Sequence, residues 1–181
     1  MRCAYRVANG RSGLSSVTVF DMANTKAIGT ISESVVLSEF LKAGFPVLLP
    51  FGDNLRYDMV IEAGGRFLSV QCKTARKIHG GAVVCFNAHS GGFGPGDSVT
   101  SRRQSYRGDV DLFAVYSPDT RQVYVLAVED VGETEVWLRL EPARNNQKAR
   151  IRWAQDYLLA AWAARLADAR RTDSLARDSV L

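Results

Sequence analysis

Two short apolar runs, YDMVIE at 57–62 and FLSVQCKT at 67–74, flank the tetrapeptide Ala63-Gly64-Gly65-Arg66. Paired glycines between such runs signal a two-residue β-hairpin, because both central positions of a type I′ turn need positive φ. A turn this short also fixes the register. With Ala63 opposite Arg66, counting outward sets Asp58 directly opposite Gln71. Directly opposed residues have Cβ atoms ~4.5–5.5 Å apart, and a one-residue slip turns every side chain to the other face. Side chains alternate along a strand, so Gln71 and Lys73 share one face with Asp58, while Cys72 joins Leu68 and Val70 on the core side.

The pattern around this hairpin is α/β, with a central mixed β-sheet flanked by helices. Residues 26–43 read as a helix, with Val36, Leu37, Phe40 and Leu41 at helical spacing and Gly44 as its stop. Short strands follow at 45–50, 82–86, 111–116 and 122–128, the last two joined by the turn Ser117-Pro118-Asp119-Thr120. Residues 148–170 read as a closing helix. Between them lies a Gly/Ser-rich stretch at 88–109, long enough to be a functional loop or a disordered one. Residues 1–21 read as an N-terminal extension outside the fold, or as an ordinary strand using Val17, Val19 and Phe20. The folded domain is expected over 22–170, with 171–181 as a frayed tail.

Composition narrows the class. Of 181 residues, 46% are hydrophobic and 23% charged, which excludes wholesale disorder. No apolar run approaches the ~20 residues of a membrane span, so no membrane partner is expected. The three cysteines, Cys3, Cys72 and Cys85, form no CxxC pair, which fits a reduced intracellular protein rather than a disulfide framework or a cysteine zinc site. His79 and His89 stand ten apart without a cysteine at ligand spacing, a poor zinc pattern. The net charge of +4 permits a polyanionic partner without demanding one.

Asp58 and Gln71, with oxygens on adjacent strands, can share one hard divalent cation, and the Cys72 backbone carbonyl stands beside them as a third ligand. Glu33, on the first helix, adds a candidate fourth group. It lies on the helix stripe of Val36, Leu37 and Phe40, and a carboxylate among apolar neighbours is costly unless paired or metal-bound. The same residues also read as plain structure: Asp58 at a strand start, Gln71 and Lys73 on a solvated face, Glu33 paired with an arginine.

A helix glutamate, a carboxylate at a strand start and then a polar acceptor-x-Lys on the next strand resemble the PD-(D/E)XK nuclease superfamily. The Gln-x-Lys form resembles its group I intron-encoded homing-endonuclease branch. The strings GTISE, LLPFGDNLRYD, RFLSVQCKT, DVDLFAVY and NNQKARIRWAQDY carry the likeness, from Lys26 to Tyr157. Two positions depart from the superfamily pattern: Tyr57 replaces proline before Asp58, and Gln71 replaces the usual acid. The resemblance implies a restriction-endonuclease-like core and hydrolysis of double-stranded DNA with Mg²⁺, or Mn²⁺ in its place. It implies a catalytic set of Glu33, Asp58, Gln71 and Lys73. It implies Asp58 as the central metal ligand, Gln71 as completing the site through its side-chain oxygen, Lys73 as orienting or activating the attacking water, and Glu33 as holding a water or a second metal. Cutting both strands of a duplex takes two sites, so a homo-oligomer, dimer or tetramer, is expected. The face of Tyr157, Trp162 and their neighbouring alanines is one candidate interface. A restriction, repair or junction-resolving nuclease shares this site, and a catalytically inert DNA-binding module shares the fold.

Candidate DNA contacts lie around the set. Arg76 and Lys77 follow Lys73 closely and suit phosphate contacts, which position without reading sequence. Arg102, Arg103 and Arg107, with Tyr106, make the 88–109 stretch a groove-reading or strand-tracking element, or else a plain surface loop. Asn145, Asn146, Gln147 and Lys148, with Arg150 and Arg152, form a polar-basic run suited to base edges, or equally to a helix cap and a solvated face.

Overall fold

A computed structural model describes residues 25–52, 54–92, 102–142, 149 and 151–178. The first helix, α1 (Thr25–Lys42), ends as its sequence dictates. Gly44 takes φ +83°, the Gly44 amide donates to Leu41 and the Phe45 amide to Phe40, each at 3.0 Å. These two bonds form a Schellman motif, and its expected apolar contact is made by the Phe40 and Phe45 rings at 6.0 Å. The buried stripe of α1 is Ser32, Val36 and Phe40. Glu33, expected among apolar neighbours, flanks that stripe and is exposed.

After the two-residue strand β1 (Val47–Leu48) come β2 (Met59–Ala63) and β3 (Arg66–Thr74). Gly64 and Gly65 have φ of +67° and +72°, the primed turn that two glycines permit. The pairing runs from Ala63 against Arg66 to Met59 against Val70, the register read from the sequence. β4 (Arg76–Ile78), β5 (Val83–Asn87), β6 (His89–Gly92) and β7 (Arg102–Ser105) lead to β8 (Leu112–Ser117) and β9 (Gln122–Ala127). β10 (Glu135–Arg139) and the helix α2 (Leu159–Asp178) complete the chain.

The central sheet has five strands in the order β1-β2-β3-β8-β9, and only β3 and β8 are parallel. It is covered on both faces. Val70, Ala114 and Val125 pack with Val36 and Phe40 of α1, and Trp162 of α2 meets the Phe40 and Phe45 rings. Phe113, Val115 and Leu126 turn the other way, onto Val84, Phe86, Val136 and Leu138 of a three-stranded sheet ordered β10-β5-β4. Strands buried on both faces read as continuous apolar runs, which is the character of LFAVY and VYVLA.

Three expectations change. The 88–109 stretch is not a structureless loop at its ends, because His89–Gly92 pairs antiparallel with Arg102–Ser105. The closing helix does not begin at 148. Trp153 bridges Arg139, Leu158 bridges Tyr124, and the Arg139 amide donates to the Arg152 carbonyl, so this segment pairs with strands around a single 3₁₀ turn (Ala154–Tyr157) before α2 begins at Leu159. The helix then runs on to Asp178, through positions expected to fray. Trp162 is half-buried against Phe40 and Phe45, with the rest of its ring at the surface of α2. Among the described residues no helix is long and apolar enough to cross a membrane.

Candidate active site

The site forms where β2 begins beside the far half of β3. Asp58 precedes β2, and its amide donates to the Val70 carbonyl at 2.9 Å, which extends the ladder by one step. Its carboxylate Oδ2 accepts from the Cys72 amide and from Gln71 Nε2, both at 2.6 Å. The same Nε2 donates to the Cys72 carbonyl at 3.2 Å. Two oxygens, Asp58 Oδ2 and Cys72 O, thus converge on one positively polarised group. The Gln71 amide is planar and nearly symmetric in shape, so turning it end for end presents Oε1 in place of Nε2. The donor set of a carboxylate, a backbone carbonyl and an amide oxygen is all hard oxygen, which fits Mg²⁺ or Mn²⁺. Among the described residues no three His, Cys, Asp or Glu side chains cluster around a metal position.

Electrostatics agree with the geometry. Burial pushes the Asp58 carboxyl above the ordinary carboxylate range, against the opposing pull of the Cys72 amide, Lys73 and Gln71. Glu33 is exposed as a residue, but its carboxyl is partly desolvated and also raised, first by that desolvation and then by the charge of Asp58, which places the two acids in one field. α1 is docked here by the buried Ser32 hydroxyl, 2.6 Å from Thr74 Oγ1 at the end of β3. Ser32→Ala leaves that half-buried threonine hydroxyl without its partner. The expected cost is about 1–2 kcal/mol of stability by urea denaturation, and the double variant with Thr74→Val lies closer to the parent than the two single losses combined. The Cys72 thiol is pushed up by burial and held as a thiol in the core.

Lys73 points to the opposite face from Cys72. Its Nζ donates to the Tyr106 hydroxyl at 3.1 Å and to the His89 carbonyl at 3.3 Å. Burial lowers the ammonium to about 8; Asp58 opposes that shift and Arg56 adds to it. An amine tuned near neutrality suits proton transfer.

Residues 23–160 match the PD-(D/E)XK endonuclease family. The chain belongs to this family. Protein 5.3 of Escherichia phage T7 is similar to this PD-(D/E)XK endonuclease, with 33% identity over 88 residues, 48% of this chain and 68% of that protein. The solved structure of a bacterial homing endonuclease, I-Ssp6803I, is similar across 83% of this chain and 98% of that one, at 27% identity and a TM-score of 0.64. The mixed sheet with its two helices matches that restriction-endonuclease-like fold.

The basic residues proposed for DNA separate in this PD-(D/E)XK chain. Arg76 lies on β4 of the second sheet, paired with Glu135 at 2.8 Å, and the Lys77 amide is held by Asp119. Arg107 is exposed, with its guanidinium donating to Glu129 and to the carbonyls of Glu129 and Val131, bonds that anchor the segment carrying it. Tyr106 is buried, against Phe113 and Lys73, and not offered to a groove. Arg103 is exposed on β7, beside Arg102. Arg152 donates to the Asp130 carbonyl. Asn145, Asn146, Gln147, Lys148 and Arg150 lie outside the described residues. His89 contributes its carbonyl, not its ring, and Arg56, two residues before Asp58, is a site residue the motif did not reveal.

Proposed function

We propose that this endonuclease-family protein is a Mg²⁺-dependent, site-specific DNA endonuclease of the homing type, of the E…D…QxK form. The observation that carries the reading is the convergence of Asp58, Gln71 and the Cys72 carbonyl beside the half-buried Lys73. Asp58, Gln71 and the Cys72 carbonyl hold the cation, and Glu33 supports it through water. A divalent cation there supplies Lewis-acid stabilisation of a phosphodiester in transit and acidifies nearby water. Lys73 Nζ supplies positive charge beside a developing oxyanion, and near neutral pH it can take up or release a proton. Tyr106 and His89 fix that nitrogen in place. Arg102, Arg103, Arg107, Lys77 and the 145–148 run are the proposed DNA contacts, with Arg76 added when Glu135 yields it. The double-strand cut calls for a homo-oligomer.

The test is cleavage of a large pool of genomic or random duplex DNA with Mg²⁺, with the ends sequenced, beside a chelator control and a Lys73→Ala control. Discrete ends at one or a few sequences, absent from both controls and restored by Mn²⁺, are expected. Ends spread over all sequences overturn site specificity and favour a repair or junction-resolving role. Equal background in all arms, with specific binding retained, identifies an inert binding module.

A further inference from the structure

One guanidinium fastens both strands of the β6–β7 hairpin to the entrance of β2. Arg56 Nη1 donates to the Ser90 hydroxyl on β6 at 2.8 Å, and Nη2 donates to the Ser105 carbonyl at the end of β7. Its Nε donates to Asp109 at 2.9 Å, and its Cζ lies 4.1 Å from the centroid of the Tyr106 ring. The Arg56 side chain is 29% exposed. An isolated surface ion pair contributes little, but a fork that serves a carboxylate, a hydroxyl and a carbonyl while stacking on an aromatic ring fixes geometry. The two groups that hold Lys73 Nζ come from the same hairpin. The His89 carbonyl belongs to β6, and Tyr106 follows β7 directly.

We propose that Arg56 is a positioning residue for DNA cleavage: it locks the β6–β7 hairpin so that Tyr106 and His89 hold Lys73 Nζ beside Asp58. The inference rests on the nuclease reading above, in which Lys73 is catalytic.

The experiment uses the full chain and a duplex recovered by cleavage selection from a random pool. It measures single-turnover cleavage at saturating enzyme with Mg²⁺, DNA affinity without Mg²⁺, and thermal melting. Arg56→Met is expected to lower the cleavage rate constant about 10²-fold, the effect of a small misplacement at a reacting centre. The Kd for the same duplex should stay within about threefold, because the lost interaction acts on the reacting state. Tyr106→Phe, which keeps the ring and removes one hydrogen bond, should lose about tenfold. Arg56→Lys should melt near the parent and still cut slowly, since one ammonium cannot serve all three acceptors and the ring.

Parent-rate cleavage by Arg56→Met, or a loss confined to DNA affinity, overturns the role of Arg56. If Arg56→Met does not fold, parent-rate cleavage by both Arg56→Lys and Tyr106→Phe overturns it equally. Failure of the unmodified chain to cut any member of the pool with Mg²⁺ or Mn²⁺ is a different result. It removes the nuclease reading itself, and this proposal with it.

Discussion

Replacing Lys73 with methionine should lower DNA cleavage by at least about 10³-fold, while binding to the same duplex survives. Methionine keeps the length and apolar stem of lysine and removes only the ammonium. The stem lies half-buried, and the ammonium is already disfavoured there, lowered to about 8 from its ordinary value. The sign follows. A lysine whose folded value is depressed carries a penalty that is complete below that value, fades as pH rises from about 8 toward the ordinary lysine range, and is gone above it. The methionine variant is therefore expected to melt at or above the parent temperature at pH 7. Loss of cutting with a retained or higher melting temperature separates a chemical role from a structural one. Cutting at the parent rate by Lys73→Met would remove the site assignment.

The part of the site that rests on one hairpin was legible in the sequence, and the part that rests on distant chain was not. Gly64 and Gly65 dictate the turn, the turn dictates the register, and the register brings Asp58 to Gln71 at hydrogen-bond distance. Each step is local, with few alternatives. The α1 stop was equally legible, since Gly44 and the phenylalanines on either side of it spell a Schellman motif. The second sheet was harder. β10 does alternate, with Val136 and Leu138 inward and Glu135 and Trp137 outward, but β4 is three residues long and two of them are charged.

The Arg56–Tyr106–Lys73 arrangement could not be read from spacing. Its members lie 50 and 33 positions apart and meet only because the β6–β7 hairpin folds back over the site. Glycine and serine dominate that stretch, a composition that also describes loops, and glycine in a strand gives no side-chain period to detect. The inward turn of Tyr106 and the anchoring bonds of Arg107 were hidden for a related reason. A basic or aromatic residue in a polar stretch is equally consistent with contact to a ligand and with anchoring the stretch itself. Here the carbonyls of Glu129 and Val131 claim the guanidinium.

The second large effect is expected at Asp58. Asp58→Asn should abolish Mg²⁺-dependent cleavage, with a loss of at least about 10³-fold, and leave the metal-free protein as stable as the parent or more so. Asparagine is nearly isosteric, and its carbonyl can accept from the Cys72 amide and Gln71 Nε2 as Asp58 Oδ2 does now. What it lacks is the charge. In the metal-free fold that charge is a burden, because burial makes the ionised carboxyl costlier than in water, as the raised Asp58 value reflects. A cation held as proposed would take it as its principal anionic ligand, since its partners, the Gln71 amide and the Cys72 carbonyl, are neutral. Two measurements therefore move in opposite directions. In chelator, Asp58→Asn should melt at or above the parent. With Mg²⁺ or Mn²⁺ added, the parent's melting temperature should rise through binding to the native state, and the variant's should not. A variant that still gains stability from Mg²⁺ would place the cation elsewhere. A variant that loses stability in chelator would make Asp58 a structural acceptor, held by Cys72 and Gln71 for the sake of the hairpin.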